Sequence, residues 1–111
     1  MANEEGAIYT LIATYYNAMA TGDEETLRSV CDEISDKDMY RYVELSQYID
    51  YYPTLEIYTK TGPEEGSVIA YVYYKISFTG HEEEVPGYQA LYIGTNDQGG
   101  LYIKRGENRE E

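Results

Sequence analysis

The side chains best suited to binding or catalysis in this sequence are its tyrosines. There are 15 of them in 111 residues, against one phenylalanine and no tryptophan. A tyrosine ring buries a large apolar surface, while its hydroxyl needs a hydrogen-bond partner or water. Cavity walls, cavity mouths and subunit interfaces satisfy both needs, so we expect the tyrosines to concentrate there.

Few other residues could carry chemistry. The single histidine, His81, lies in an acidic turn with no second histidine or cysteine nearby, which argues against a transition-metal site. The single cysteine, Cys31, is expected to be a small buried hydrophobe. Calcium loops, phosphate-binding glycine motifs and nucleophilic triads all require spacings that this sequence lacks. We therefore predict no metal, no cofactor and no assignable catalytic residue.

The first half of the chain has the period of helices. Apolar residues at helical spacing predict one helix over 4–20 and a short second helix over 24–31. A third helix is predicted to follow the polar cluster at 35–38 and to run to about Tyr52, where Pro53 would stop it.

The second half changes to a period of two, which is typical of strands. Short polar connections between the strands predict antiparallel neighbours. The expected fold is α+β, with three N-terminal helices packed on the concave face of a curved four-stranded antiparallel sheet. The length fits a single domain over 1–111. The predicted strands cover 55–61, 67–79, 88–95 and 101–105.

Several segments of the sequence resemble those of a known protein family. The run Tyr-Tyr-Asn-Ala-Met-Ala-Thr-Gly-Asp at 15–23, followed by a second short helix, resembles the opening of NTF2-like domains, which are cone-shaped α+β folds. Later segments are similar to uncharacterised NTF2-like domains in surface proteins of Gram-positive bacteria. The resemblance implies a pocket between sheet and helices in an exported or surface-attached protein; a chain complete as written would instead be cytoplasmic. These later segments are 56–63, 69–74, 85–87 and 101–107.

The resemblance also reaches one catalytic position of the ketosteroid isomerases, which share this fold. Counted back from the Gly-Asp pair, Tyr15 falls at the position of their oxyanion-binding tyrosine. The position of their partner acid is Tyr88, and the region of their aspartate base holds Asp36 and Asp38, which are more simply read as helix caps. Isomerase chemistry is therefore poorly supported.

The predicted pocket is defined by the inward faces of the helices and of the long second strand. Our primary hypothesis is a noncatalytic module that binds a small hydrophobic or amphipathic ligand or a protein. The alternative is a small isomerase- or dehydratase-like enzyme with Tyr15 as hydrogen-bond donor and Asp50 as base. At the edge of the third helix, an aspartate such as Asp50 more often remains in water or bonds a neighbouring hydroxyl. The predicted lining residues are Tyr15, Tyr42, Ser46, Asp50, Tyr74 and Tyr88.

A second group of tyrosines is predicted on the outer face of the sheet. This group could be a cross-strand ladder in water or the interface of a homodimer. A purely structural dimerisation domain is thus a third functional hypothesis. The residues of this face are Tyr58, Tyr71, Tyr73 and Tyr102.

The charge of the chain excludes two classes of partner. Eight basic residues stand against 21 acidic ones, and the formal net charge is -13. Because no basic stripe could neutralise phosphates, we predict no binding to nucleic acid or to anionic membrane surfaces. No stretch is long and apolar enough to predict membrane insertion by this segment.

Overall fold

The fold is built from three helices followed by a four-stranded sheet. The computed structural model describes residues 2–104, and their side chains except those of 2–5 and 54. The strands form one antiparallel sheet in chain order. The predicted architecture, three helices on the concave face of a curved antiparallel sheet, is confirmed. The elements are α1 (Ala2–Thr21), α2 (Glu24–Val30), α3 (Asp36–Ser46), β1 (Ile49–Thr61), β2 (Val68–Phe78), β3 (Glu84–Thr95) and β4 (Leu101–Lys104).

Short capping motifs define where the helices begin and end. Gly22 follows α1 with a φ of 72°, a left-handed conformation that glycine adopts without strain. The Asp23 carboxylate accepts a hydrogen bond from the backbone N–H of Thr26 at 3.2 Å. At the start of α3, the Ser35 hydroxyl oxygen accepts one from the N–H of Asp38 at 3.1 Å. Each cap satisfies an N–H group that the first helical turn leaves without an internal partner.

The core lies between the helices and the inward face of the sheet. Ile12 of α1, Leu27 of α2 and Val72 of β2 are completely buried there. Since neighbouring side chains of a strand point to opposite faces, Tyr71 and Tyr73 lie on the outer face of β2. The sheet thus presents one face to the core and a second, tyrosine-rich face to solvent.

The predicted end of the third helix is wrong. Helix α3 ends at Ser46, and β1 already begins at Ile49. Residues 49–52 are isoleucine, aspartate and two tyrosines, and three of these four favour a strand when a neighbour offers hydrogen bonds. Pro53 lies within β1, where an irregular register leaves it outside the ladder with β2. A proline is tolerated at such a position of an edge strand because no ladder bond is lost.

Strand β3 is also longer than predicted, because it begins at Glu84 rather than Tyr88. It includes Pro86, which lies opposite Lys75 of β2. Within the described part of the chain, β4 pairs only with the last four residues of β3, so Pro86 has no described partner on its other side. The predicted end of the last strand, residue 105, lies outside the described residues.

Candidate functional site

A partly open cavity lies between α1, α3 and the inward face of the first three strands. Its volume is about 260 Å³, near the small end of ligand pockets, which span roughly 300–1,000 Å³. Four of its lining residues are apolar and aliphatic, and most of the others are tyrosines. The lining residues are Tyr15, Met19, Tyr42, Leu45, Ile49, Tyr52, Tyr74, Ile76, Tyr88 and Gln89.

Four tyrosine rings pack together at the inner wall of this cavity. We call Tyr15, Tyr16, Tyr52 and Tyr74 the tyrosine cluster. Tyr16 is central, because its ring centroid lies 5.2 Å from that of Tyr15, 5.0 Å from Tyr52 and 5.5 Å from Tyr74. The rings of Tyr52 and Tyr74 also meet edge to face at 5.8 Å. Such offset geometries stabilise aromatic pairs beyond their buried area.

The hydroxyl groups of the cluster have different environments. Tyr16 is 1% exposed, and its hydroxyl donates a hydrogen bond to Oε1 of Gln89 at 2.5 Å. With that oxygen engaged, the amide NH₂ of Gln89 remains a donor at the cavity wall. Tyr52 and Tyr74 are half-buried, and their hydroxyls have no hydrogen-bond partner among the described residues. Partly buried polar groups of this kind are satisfied by water or by a ligand.

Burial keeps these phenols protonated. Burial raises the pKa of Tyr52 to about 12, and the nearby hydroxyls of Tyr74 and Tyr42 add to the effect. The pKa of Tyr16 is raised further, by its burial first and then by neighbouring Tyr15. The charged form of a phenol is disfavoured in an apolar site. At neutral pH these two hydroxyls are therefore uncharged and can donate hydrogen bonds, but they cannot serve as general bases.

A comparison with solved structures supports the same architecture. The chain is similar to a designed NTF2-like protein, Rd1NTF2_05 carrying five substitutions, with a TM-score of 0.60 and 18% sequence identity. The match covers 91% of this chain and 96% of the designed one. The fold is NTF2-like. No family model matches the sequence, and no curated protein matches it.

Within this NTF2-like fold, four of the six predicted pocket residues border the cavity. Tyr15, Tyr42, Tyr74 and Tyr88 all line it. They come from α1, α3, β2 and β3, so distant parts of the chain converge there. Tyr88 contributes only at the rim, because its pairing with Tyr73 places its ring on the opposite face of the sheet, where it is 78% exposed.

The other two predicted pocket residues lie elsewhere. The Ser46 hydroxyl donates to the carbonyl of Val43 at 2.6 Å, and a Cβ on Gly22 would come within 2.5 Å of its oxygen. Ser46 therefore packs the end of α3 against the turn after α1. Asp50 is exposed on β1 and does not line the cavity. Its expected position at the edge of a helix is corrected, because α3 ends before it.

Six of the ten lining residues were not among those predicted, and neither was Tyr16 of the tyrosine cluster. The six are Met19, Leu45, Ile49, Tyr52, Ile76 and Gln89. Tyr16 has the helical spacing of the inward face, but nothing in the spacing identifies its partner Gln89. Tyr52 reaches the cavity because irregular pairing between Ile49 and Thr54 turns Ile49 and Tyr52 to the same side of β1. The aromatic residues within 49–52 favour a strand, and this preference was the one sequence signal that could have placed Tyr52 at the cavity.

The outer face of the NTF2-like sheet holds the other predicted tyrosines. Tyr58 of β1 lies directly opposite Tyr71 of β2, and the rings of Tyr73 and Tyr88 are 5.1 Å apart. The ring of Tyr102 on β4 lies over Gly94 of β3. The tyrosines of this surface are together called the outer tyrosine face. They are Tyr58, Tyr71, Tyr73, Tyr88, Tyr92 and Tyr102.

The other clefts and side-chain clusters are weaker candidates for a functional site. A cleft of about 180 Å³ contains Glu64 and Lys104, whose charges pair with each other at 3.1 Å. The described residues include no group of three histidine, cysteine, aspartate or glutamate side chains arranged to hold a metal ion. Nor does the described part of the chain contain a helix whose length and apolar content would let it cross a bilayer.

Proposed function

We propose that this protein is a noncatalytic binding module whose tyrosine-lined cavity holds a small amphipathic ligand. The observation that carries the proposal is the pair of lining residues Tyr52 and Tyr74, whose hydroxyls have no hydrogen-bond partner among the described residues. Around them, Met19, Leu45 and Ile76 supply apolar contact. A pocket of mostly apolar wall with a few polar groups in fixed positions is the usual design of a small-molecule site.

The same lining favours binding over acid–base catalysis. It includes no carboxylate, imidazole, amine or thiol among the described residues. The rival enzyme hypothesis requires Tyr15 and Asp50 to converge on one enclosed space. Tyr15 lines the cavity and Asp50 is exposed outside it, so the described geometry gives that pair no common substrate site.

The cellular setting belongs to the same proposal. We place the module in an exported or surface-attached bacterial protein. The support is the similarity of four short segments to NTF2-like domains of Gram-positive surface proteins, and the acidic composition is compatible with it. Fractionation of the native host, with detection of the chain in the wall or medium, tests this part independently.

A ligand screen by NMR tests the binding function. A panel of small alcohols, ketones, phenols and amines is expected to shift the signals of Tyr15, Tyr42, Tyr52 and Tyr74 together. Tyr52→Leu should weaken the best ligand about tenfold, which is the loss expected for one buried aromatic contact. Tyr51→Leu is the matched control, because Tyr51 is adjacent and exposed. Shifts confined to exposed residues, or none, would refute the proposal.

A second candidate function is dimerisation through the outer tyrosine face. Tyr58 and Tyr71 are exposed and directly opposite each other, and Tyr88 is the most exposed of the group. Among the described residues of this face, Lys60, Lys75 and Lys104 stand against Glu56 and Glu84, and Lys104 also pairs with Glu64, whereas the chain as a whole has a net charge of -13. A face relieved of the acidic excess and rich in tyrosine is suited to a second copy of the chain. Sedimentation equilibrium measures this association directly.

A further inference from the structure

The arrangement of rings around the cavity points to the chemical class of its ligand. Tyr42, Tyr52 and Tyr74 line the space with partly exposed side chains from α3, β1 and β2, and Tyr15 of α1 borders it but is fully buried. A tyrosine ring carries negative electrostatic potential on its face, and several rings around one space attract a cation that has no hydrogen-bond donors of its own. Aromatic walls on several sides thus favour a positively charged guest over an anion.

The charges near the cavity favour the same sign. No lysine or arginine is among the described lining residues. Lys75 belongs to β2, but strand alternation places it on the outer face, away from Tyr74. With a net charge of -13 on the chain, the long-range field of the protein attracts cations and repels anions.

We infer that the ligand of this cavity is a small quaternary ammonium compound that carries a hydroxyl or similar polar group. The inference rests on the proposed binding function and adds the charge of the ligand. The methylated ammonium group contacts the tyrosine rings. The polar group meets the hydroxyls of Tyr52 and Tyr74 and the NH₂ of Gln89, which are able to form hydrogen bonds with it.

Two probes of equal shape separate charge from size. Choline has a trimethylammonium head and a hydroxyl, and 3,3-dimethylbutan-1-ol (dimethylbutanol) is its uncharged carbon isostere. In NMR titrations of the whole chain, choline is expected to bind about tenfold more tightly than dimethylbutanol, because only choline gains the cation–π attraction. Raising the salt concentration should weaken choline and leave dimethylbutanol unchanged.

Substitutions then distinguish the ring from its hydroxyl. Tyr52→Phe keeps the aromatic face but loses the hydroxyl, so choline binding should weaken only about threefold, whereas Tyr52→Leu loses the ring as well and should weaken it about tenfold or more. Tyr42→Leu provides a second ring deletion at a half-buried site, and Tyr51→Leu is the exposed control. Melting curves of each variant confirm that it is folded before it is titrated.

The outcomes separate this inference from the function on which it rests. Selective choline binding that needs the rings of Tyr42 and Tyr52 supports the cationic ligand. Equal or tighter binding of dimethylbutanol overturns it and leaves the proposed ligand pocket intact. If neither probe nor any compound of the wider panel shifts the cavity signals, the ligand pocket itself is refuted.

Discussion

The hydroxyl of Tyr16, in the second half of α1, donates a hydrogen bond to the side-chain oxygen of Gln89 on β3 at 2.5 Å. The two residues are 73 positions apart in the chain, so this bond joins the first helix to the third strand. It also fixes the wall of the cavity, because Gln89 lines it and Tyr16 supports the rings of Tyr52 and Tyr74.

Removing this bond should destabilise the protein. Tyr16→Phe keeps the ring but leaves the half-buried Gln89 oxygen without its donor, at an expected cost of about 1–3 kcal/mol in the free energy of unfolding. Urea denaturation followed by circular dichroism measures it. Tyr9→Phe is the control on the same helix, because Tyr9 is exposed. Equal midpoints for the two variants would show that the Tyr16 bond is energetically unimportant.

Gly87 should be intolerant of any side chain. A Cβ there would lie 2.5 Å from the ring of Tyr74, on the adjacent strand. We expect Gly87→Ala to displace the ring, to change the cavity and to cost about 1–3 kcal/mol, as overpacked substitutions do. Gly6→Ala is the opposite case: no atom lies within 4 Å of its added Cβ, and alanine in a helix should stabilise by about 0.5–1 kcal/mol. A neutral or stabilising Gly87→Ala would contradict this packing.

Stability should fall at high pH because of the buried phenols. The pKa of Tyr52 is raised from 10.0 to about 12 in the folded protein, and an unfolded tyrosine ionises near pH 10. The folded state therefore holds its proton longer, so the contribution of Tyr52 is complete below about pH 10 and is lost as the pH rises to about 12. Tyr52→Phe should flatten this decline. The free energy of unfolding of the unsubstituted chain and of Tyr52→Phe, measured across this pH range, tests the prediction. Identical pH profiles for the two proteins would count against the raised pKa of Tyr52.

Dimerisation should depend on the outer tyrosine face. In Tyr71→Ser/Tyr73→Ser, the dimer dissociation constant is expected to rise about tenfold or more, since central tyrosines often dominate an interface. The control Tyr9→Ser/Tyr40→Ser removes two exposed tyrosines from helices and should leave the constant unchanged. Sedimentation equilibrium decides between these results. A monomer at all concentrations for the unsubstituted chain would end the dimer hypothesis.

Local signals explain why much of the fold was predictable. The capping residues Asp23 and Ser35 act within one helical turn, and the period of two along β2 follows from strand geometry alone. Three helices, four strands, their order and the faces of Tyr71 and Tyr74 could be read in this way. Each depends on residues that are close in sequence.

Non-local pairing explains what was missed. Tyr51 becomes part of a strand because Ser77 of β2 lies opposite it, and no helical wheel of 36–52 contains that information. The same error moved Asp50 into the predicted pocket and left Tyr52 out. The partner of Tyr16 was equally hidden, because it depends on how α1 crosses the sheet. Element types were thus readable, whereas the residues that meet in the cavity were only partly so.

The ring of Tyr74 lies in the space that a side chain on Gly87 would need, so one aromatic group fills the inward side of two neighbouring strands at this position. The volume of this part of the wall is a property of the pair and not of either residue. A larger residue at position 87 becomes acceptable when position 74 is small, and the depth of the cavity can then be graded by exchanging bulk between them. In relatives that recognise other ligands, these two positions are expected to vary together.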